Sequence, residues 1–360
     1  MAVLQDIPNS FKQVAPIPTS IHALSTLPRP DQKTSTKIQE ILSLFNDIKA
    51  GKNIKIALWE EIQLSPAEYD QLESEIHQDK LLEGYIQDKL RYDYNRETSR
   101  LVIRMPTAIH ECIGRRIDRF IDSRLEEIGR GSGMASEFAQ KILVMGSTTI
   151  HLPTYYDPYG KPSKHDPDAS YKHADAEYPG VIIEVAYSQT PKNLDRLAHS
   201  YLLNSGTSVR AVVGINIQYG GDCWYKATLS IWRTRIVRID AEDELTVIKE
   251  PADEEFRDAQ GNPTDHDGLL LHLKDFACEE LTQDLAGQDH KIKISAQQLC
   301  EVLCAAETTS GSVKSSIPLG VRVRERQSTP EEEIRSSDER KYRKDEKRAA
   351  RRARKDDPNY

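Results

Sequence analysis

The sequence predicts an α/β chain of the α+β kind, a mixed central sheet flanked by helices, and three observations carry that prediction. Short β-branched runs such as "RLVIRM", "VIIEVAY" and "VRAVVGINIQY" alternate with amphipathic stretches such as "TAIHECIGRRIDRFIDSRLEEIG", so strands and helices follow one another along the chain. From the long helix onward the order α, β, β, β, α, β, β describes a mixed sheet with helices packed on it, not a doubly wound nucleotide fold. No Gly-x-Gly-x-x-Gly follows a strand and no Gly-Lys-Ser/Thr loop occurs, so nucleotide hydrolysis has no support.

Each element has its own signal. Residues 1–34 are rich in Pro, Ser and Thr without periodicity and read as a disordered lead-in. In "TKIQEILSLFNDIKAG" the apolar positions Ile38, Ile41, Leu42 and Phe45 share a helical face, and Gly51 follows as a stop. "SPAEYDQLESEI" starts a second helix, with Ser65 as N-cap, Pro66 at the first helical position and Glu68 three residues after the cap. "RLVIRM" is a strand, and the long helix after it aligns Ile109, Ile113, Ile117, Phe120, Ile121, Leu125 and Ile128. After a Gly-Ser break come "KILVMGSTTIHL" as one strand, a loop, a short strand near 168–172 and the strand "VIIEVAY". Thr190 and Pro191 cap the helix "PKNLDRLAHSYLLN", and "VRAVVGINIQY" and "YKATLSIWRTRIV" complete the sheet. Residues 251–275 are acidic and turn-rich, and "SAQQLCEVLCAAE" is a terminal helix capped by Ser295. The organisation is thus N-terminal helices over 35–94, a core over 95–250, an extension with a terminal helix over 251–307, and a disordered charged tail over 308–360.

Composition bounds the setting. Of 360 residues, 29% are charged and 38% hydrophobic, which suits one good-sized core with polar extensions. No apolar run approaches the roughly 20 residues of a membrane span, and the N-terminus lacks a signal-peptide pattern, so the expected place is inside the cell, nuclear or cytoplasmic, without a membrane partner. The five cysteines are scattered and odd in number, as ordinary reduced thiols are. The net charge of −8 is uneven: residues 341–355 carry nine Lys or Arg against two acids, which leaves −15 on the remainder. Within that run "KRAARRARK", residues 347–355, is expected to act as a nuclear-import signal or a nucleic-acid arm, the alternative being a solubilising tail.

One residue stands out. Alternation in "VIIEVAY" sends residues 181, 183, 185 and 187 to one face and Ile182, Glu184 and Ala186 to the other, so the Glu184 carboxylate lies among apolar neighbours. A buried carboxylate needs a partner or a proton. If residues 168–172 pair with 181–187, Asp168 comes beside Glu184, and a hard cation such as Mg²⁺ or Mn²⁺ between them would relieve their repulsion. The alternative is a structural Glu184 salt-bridged to an arginine, with Asp166, Asp168, Asp175 and Glu177 as solvated loop acids.

Asp168 after Pro167, followed by a hydrophobic hairpin to Ile-Glu-Val, resembles the Pro-Asp…(Asp/Glu)-x-Lys signature of the restriction-endonuclease-like nucleases, the PD-(D/E)XK superfamily. Within it the chain is most similar to the restriction-endonuclease family with the signature Pro-Asp…Val-Ile-Glu-Val-x-Ser, in its fungal form. "LSPAEYDQLE" resembles that family's opening helix, "YDYNRETSRLVIRMPTAIHE" its strand leading into a helix that begins with His, and "VIIEVAYSQ" its core strand, covering about residues 60–235. The resemblance implies a restriction-endonuclease-like fold and a metal-dependent nuclease. In that enzyme Mg²⁺ or Mn²⁺ is held by Asp168, Glu184 and the carbonyl of Val185 and activates water against a phosphodiester of nucleic acid. It also implies a departure, because the position of the usual lysine, two residues after the Glu, is Ala186. Lys192 and Arg196, with His199 on the next helix, are the candidates to orient the water or neutralise the phosphate, and His110 and Glu111 match positions near the site in relatives. The stripe Lys192, Arg196, His199 is equally the solvated face of a helix whose apolar face is Leu194, Leu197, Ala198 and Tyr201. Relatives often work as dimers, although this sequence carries no dimer signal. The alternative function is a binding module that keeps the fold and lacks the chemistry, which the acidic body favours.

Overall fold

The computed structural model describes residues 35–52, 59–104, 108–154, 160–187, 191–218, 225–239, 242–285, 287 and 289–310, with a few positions beyond. The lead-in over 1–34 and nearly all of the basic run 341–355 lie outside the described residues. The chain divides into two units, Met1–Gly311 and Ser312–Tyr360, and the elements below belong to the first.

Their order is α1 (Thr36–Lys49), β1 (Trp59–Gln63), α2 (Pro66–Gln78), α3 (Lys80–Lys89), β2 (Arg91–Asn95), β3 (Arg100–Arg104), α4 (Ala108–Gly129), α5 (Met134–Gln140), β4 (Ile142–Val144), β5 (Ile150–Leu152), β6 (Ser163–His165), β7 (Ala169–His173), β8 (Val181–Tyr187), α6 (Pro191–Asn204), β9 (Ala211–Ile217), β10 (Ala227–Ile239), β11 (Glu242–Lys249), β12 (Glu254–Arg257), β13 (Leu269–His272), α7 (Glu279–Thr282), β14 (Lys291–Ile294) and α8 (Ala296–Ser310). The local signals account for the helix starts. Ser35 caps α1 through Ile38, Ser65 and Glu68 form a capping box on α2, and Ser295 with Gln298 does the same for α8.

Two main sheets divide the unit. One runs β1-β3-β2-β6-β5, and the other β11-β10-β9-β8-β7-β4 with β12 also on β10. In the second, β4 and β7 pair antiparallel, as do β7 and β8, while β8 and β9 run parallel across the helix α6. The mixed α/β architecture expected from the strand and helix order is therefore present. The expected pairing of residues near 168–172 with 181–187 is present too, with Ala169 opposite Ile183 and Tyr171 opposite Val181.

Side-chain alternation on β8 separates two hydrophobic layers. Val181, Ile183 and Val185 join α4, α5 and α8 in one core, whereas Ile182 and Ala186 join Leu194, Leu197, Ala198, Tyr201 and Leu202 of α6 in another. A third core is drawn from Ile38 to Ile103 and holds α1, α2 and α3 against β2 and β3. The hairpin β2–β3 thus sits with the N-terminal helices, on both sides of the boundary expected at residues 94 and 95.

The run "KILVMGSTTIHL" differs from expectation. It forms two strands, β4 and β5, in different sheets, because the chain turns between them at Gly146, whose φ of +56° suits glycine. The turn-rich stretch 251–275 also contributes two short strands, β12 and β13.

Candidate functional site

The hairpin β2–β3 alternates strictly. Tyr92, Tyr94, Leu101 and Ile103 enter the N-terminal core, so Arg91, Asp93 and Asn95, with Arg100, Val102 and Arg104, share the opposite face. Register places Arg91 directly across from Arg104, a like-charge pair that destabilises a sheet unless anions meet it. They do: Asp93 of the hairpin itself meets Arg104, Glu111 of α4 meets Arg91, and the remaining anions come with the second sheet.

The β7–β8 register, extended by one residue, sets Asp168 opposite Glu184. Arg104 reaches both: its Nη1 donates to Glu184 Oε2 at 2.7 Å and lies 4.0 Å from Asp168 Oδ1. Its Nη2 donates to Asp93 Oδ1 at 3.1 Å and to the Asp166 carbonyl. The other Glu184 oxygen accepts from Tyr201 Oη at 2.8 Å. Asp168 Oδ1 also accepts from Arg91 Nη1 at 3.1 Å, and its Oδ2 accepts from the Val185 backbone N–H at 2.7 Å. His110 Nε2 lies 3.3 Å from Asp168 Oδ2 and against the Val185 carbonyl, and Glu111 pairs with Arg91 at 2.8 Å. Glu184, Arg104 and Asp93 are all buried, at 2%, 6% and 2% exposure.

Asp166 completes the cluster. It is buried rather than solvated, and accepts from Thr149 Oγ1 at 2.6 Å, from the Tyr92 N–H at 3.1 Å and from Lys164. Its own N–H donates to Asp93 Oδ1 at 2.8 Å. Four carboxylates, Asp93, Asp166, Asp168 and Glu184, are therefore packed against Arg91, Arg104 and Lys164, with His110 beside Asp168, and the protonation states follow from these neighbours. Burial opposes ionisation of Asp168, but the charges of His110 and Arg104 and the Val185 N–H outweigh it and hold the carboxyl below its usual range. Burial pushes Glu184 up, against the pull of Arg104 and with the repulsion of Asp168 and Asp93 added; Asp93 is raised by burial in the same way.

The structure brings Asp168, Glu184 and Val185 together, but a divalent ion does not fit the residues as they stand. Each prospective ligand atom already meets a cation or donor of the chain, and Arg104 and His110 would have to leave for an ion to enter. Among the described residues, no group of three or more His, Cys, Asp or Glu side chains has a metal-holding arrangement. The opening onto Asp168, lined by Arg91, His110 and Glu111, has a volume of about 20 Å³, room for about one water molecule. Lys192 and Arg196 lie on the exposed face of α6, where Arg196 pairs with Glu61 of β1 at 2.6 Å. The apolar stripe of that helix faces the sheet, and Tyr201 is its contribution to the cluster.

Arg104, Arg91, Asp93, Lys164 and Tyr201 were not legible as site residues from motif spacing. The signal for Arg91, Asp93 and Arg104 is the alternation of charge with apolar side chains in "RYDYN" and "RLVIR", which implies a hairpin with one ionic face seeking counter-charges; Lys164 and Tyr201 carry no such signal. No family model matches the chain, and no curated protein matches it in sequence.

The cluster sets a pH dependence. A folded-state pKa raised above the unfolded value means that the folded form holds a proton the unfolded chain has released, so the stability tied to Glu184 falls as pH rises above its ordinary value of 4.5. His165, pushed down to about 3 by burial and by the charge of Arg104, acts oppositely: its contribution is lost as pH falls below 6.5. The two oppose each other in mildly acidic solution, and above pH 6.5 the Glu184 linkage remains. Urea unfolding through neutral pH is expected to show stability declining by at most about 1.4 kcal/mol per pH unit. Glu184→Gln should flatten that slope, because a rotated amide still satisfies both Arg104 and Tyr201.

Proposed function

We propose that the protein is a restriction-endonuclease-like scaffold that dispenses with the nuclease's metal and serves as a binding module for nucleic acid or a protein partner. The observation that carries this reading is Arg104, whose guanidinium lies within 4.0 Å of both Asp168 and Glu184, in the place a bridging cation would take. A permanently charged planar group suits two carboxylates, yet it activates no water. The sheet order supports the nuclease-like ancestry, with Asp168 leading β7, Glu184 in the middle of β8 and α6 crossing to the parallel strand β9. Ala186 supports the loss of hydrolysis, since the usual lysine is missing there. So does the narrow opening at Asp168, which admits no phosphodiester.

The test is a titration of the whole protein with Mn²⁺ and Mg²⁺, followed by thermal unfolding and a plasmid-nicking assay. The expected result is an unchanged midpoint and intact supercoiled DNA. A Mn²⁺-dependent rise in midpoint that Asp168→Ala removes, with nicking by the wild type, would replace this reading with an active nuclease.

A further inference from the structure

β10 outruns the strand beside it. β9 pairs with one edge of β10 over residues 227–232, while β12 and β11 share the other edge, β11 reaching from Trp232 to Ile239. Among the described residues, no strand covers the β9 edge of β10 over residues 233–239. Together with residues 242–245 these form a two-stranded arm with an open backbone edge, and a two-stranded ribbon alone is marginal in water. Arg235, Ile236 and Arg238 of the arm are exposed, as are Glu242, Asp243, Glu244 and Leu245 on its other strand.

Ile236 is the misfit. It is 69% exposed, sits directly across the arm from Leu245 at 40% exposure, and stands at the middle of the open stretch. Open strand edges attract other strands, and proteins guard them with charge. The outer edge of β11 is guarded in this way, since pairing it with its own copy would gather Glu242, Asp243 and Glu244 of both chains along one seam. The open edge of β10 has an apolar residue at its centre instead.

Antiparallel pairing of this edge with its own copy is self-complementary. Centred on Ile236, it sets Arg233 opposite Ile239 of the second copy, Thr234 opposite Arg238 and Arg235 opposite Val237, so no arginine meets another. A slip of one residue in either direction brings Arg233 or Arg235 opposite Arg238, a like-charge pair across the seam. The length fits as well. Past Ile239 an arm would meet Trp232 of the other copy, where β9 already holds the edge through Val212. On one face the central row then reads Leu245, Ile236, Ile236, Leu245, an apolar stripe across four strands.

We propose that the chain associates with a second copy about a two-fold axis at Ile236, the two β10 edges pairing antiparallel into a continuous ribbon in the order β11-β10-β10-β11. Such an isologous contact closes on itself, so assembly stops at the dimer. A seam of one strand edge lies at the low end of interface sizes, which puts the dissociation constant in the micromolar range. The inference goes beyond the binding-module reading and does not depend on it, since the arm contains no residue of the carboxylate cluster.

The experiment is sedimentation velocity of the full-length protein from about 1 to 200 µM, across which the expected result is a shift from monomer to dimer. Ile236→Lys and Ile236→Glu are exposed changes that leave the cores intact. Each places like charges on the axis and should weaken association by about tenfold or more. An equal mixture of the two variants should restore the dimer, because lysine then faces glutamate. Restoration of this kind requires residue 236 to lie opposite its own copy, and a misfolded variant cannot produce it. A wild type that stays monomeric at the highest concentration, assembly that continues past the dimer, single variants that associate as the wild type does, or a mixture that remains monomeric would each overturn the proposal.

Discussion

Arg104→Met is expected to destabilise the protein by about 4 kcal/mol or more, the largest effect of any single change at the site. The methionine fills most of the volume, so the loss is electrostatic. Asp93, Asp168 and Glu184 would be left facing one another without the guanidinium that now reaches all three, and burial prevents water from taking its place. The variant should recover part of that loss by protonation, so its unfolding midpoint should rise as pH falls from 7 toward 5, more steeply than that of the wild type. It should also acquire an affinity for divalent ions that the proposed reading does not give the wild type. Three carboxylates with an empty centre form an oxygen site for a hard cation, and saturating Mn²⁺ should restore about 2 to 3 kcal/mol, as binding about a hundredfold above the dissociation constant does. Thermal unfolding of both proteins with and without Mn²⁺ measures this directly. A variant as stable as the wild type, or one indifferent to Mn²⁺, would show that Arg104 does not hold the cation's place.

Glu184→Ala is expected to cost about 3 kcal/mol without any dependence on divalent ions. The change orphans two buried donors at once, Arg104 Nη1 and Tyr201 Oη, and opens a space between the two sheets. A metal site predicts the opposite sign, since removing one of two repelling acids stabilises the ion-free protein. Urea unfolding of the alanine variant decides between them: a stability equal to or above that of the wild type would return the site to metal chemistry.

The sequence carried the architecture further than the site. Runs with a single period, such as the apolar face Ile113, Ile117, Ile121 and Leu125 of α4, or the split of Ile183 from Ile182 and Glu184 on β8, name their element and their buried face without help, because local geometry alone decides which side chains share a surface. Pairing of β7 with β8 was legible for the same reason. The partner of Glu184 was not, since Arg104 lies 80 residues away in sequence and no local pattern sets which of many arginines a buried acid will meet. The pair of arginines facing each other on β2 and β3 was the available hint. Two positive charges placed opposite on a strand pair, with Asp93 the one acid on their face of the hairpin, imply a further anion from elsewhere in the chain. The break between β4 and β5 escaped for a simpler reason. "KILVMGSTTIHL" is β-prone throughout, and only the sheets on either side determine that its two halves part company.

The hairpin also bears on the order in which the chain is made. Its apolar face closes a core drawn entirely from residues 38–103, a stretch that leaves the ribosome before any of Asp166, Asp168 or Glu184 exists. Contacts so close in sequence form fast, so a nascent chain would carry Arg91 and Arg104 side by side on a formed surface, with Asp93 the one acid beside them, while Asp168 and Glu184 are still being synthesised. On that order of synthesis β7 and β8 would dock against positive charge already in place, and their carboxylates would not have to assemble around an empty centre.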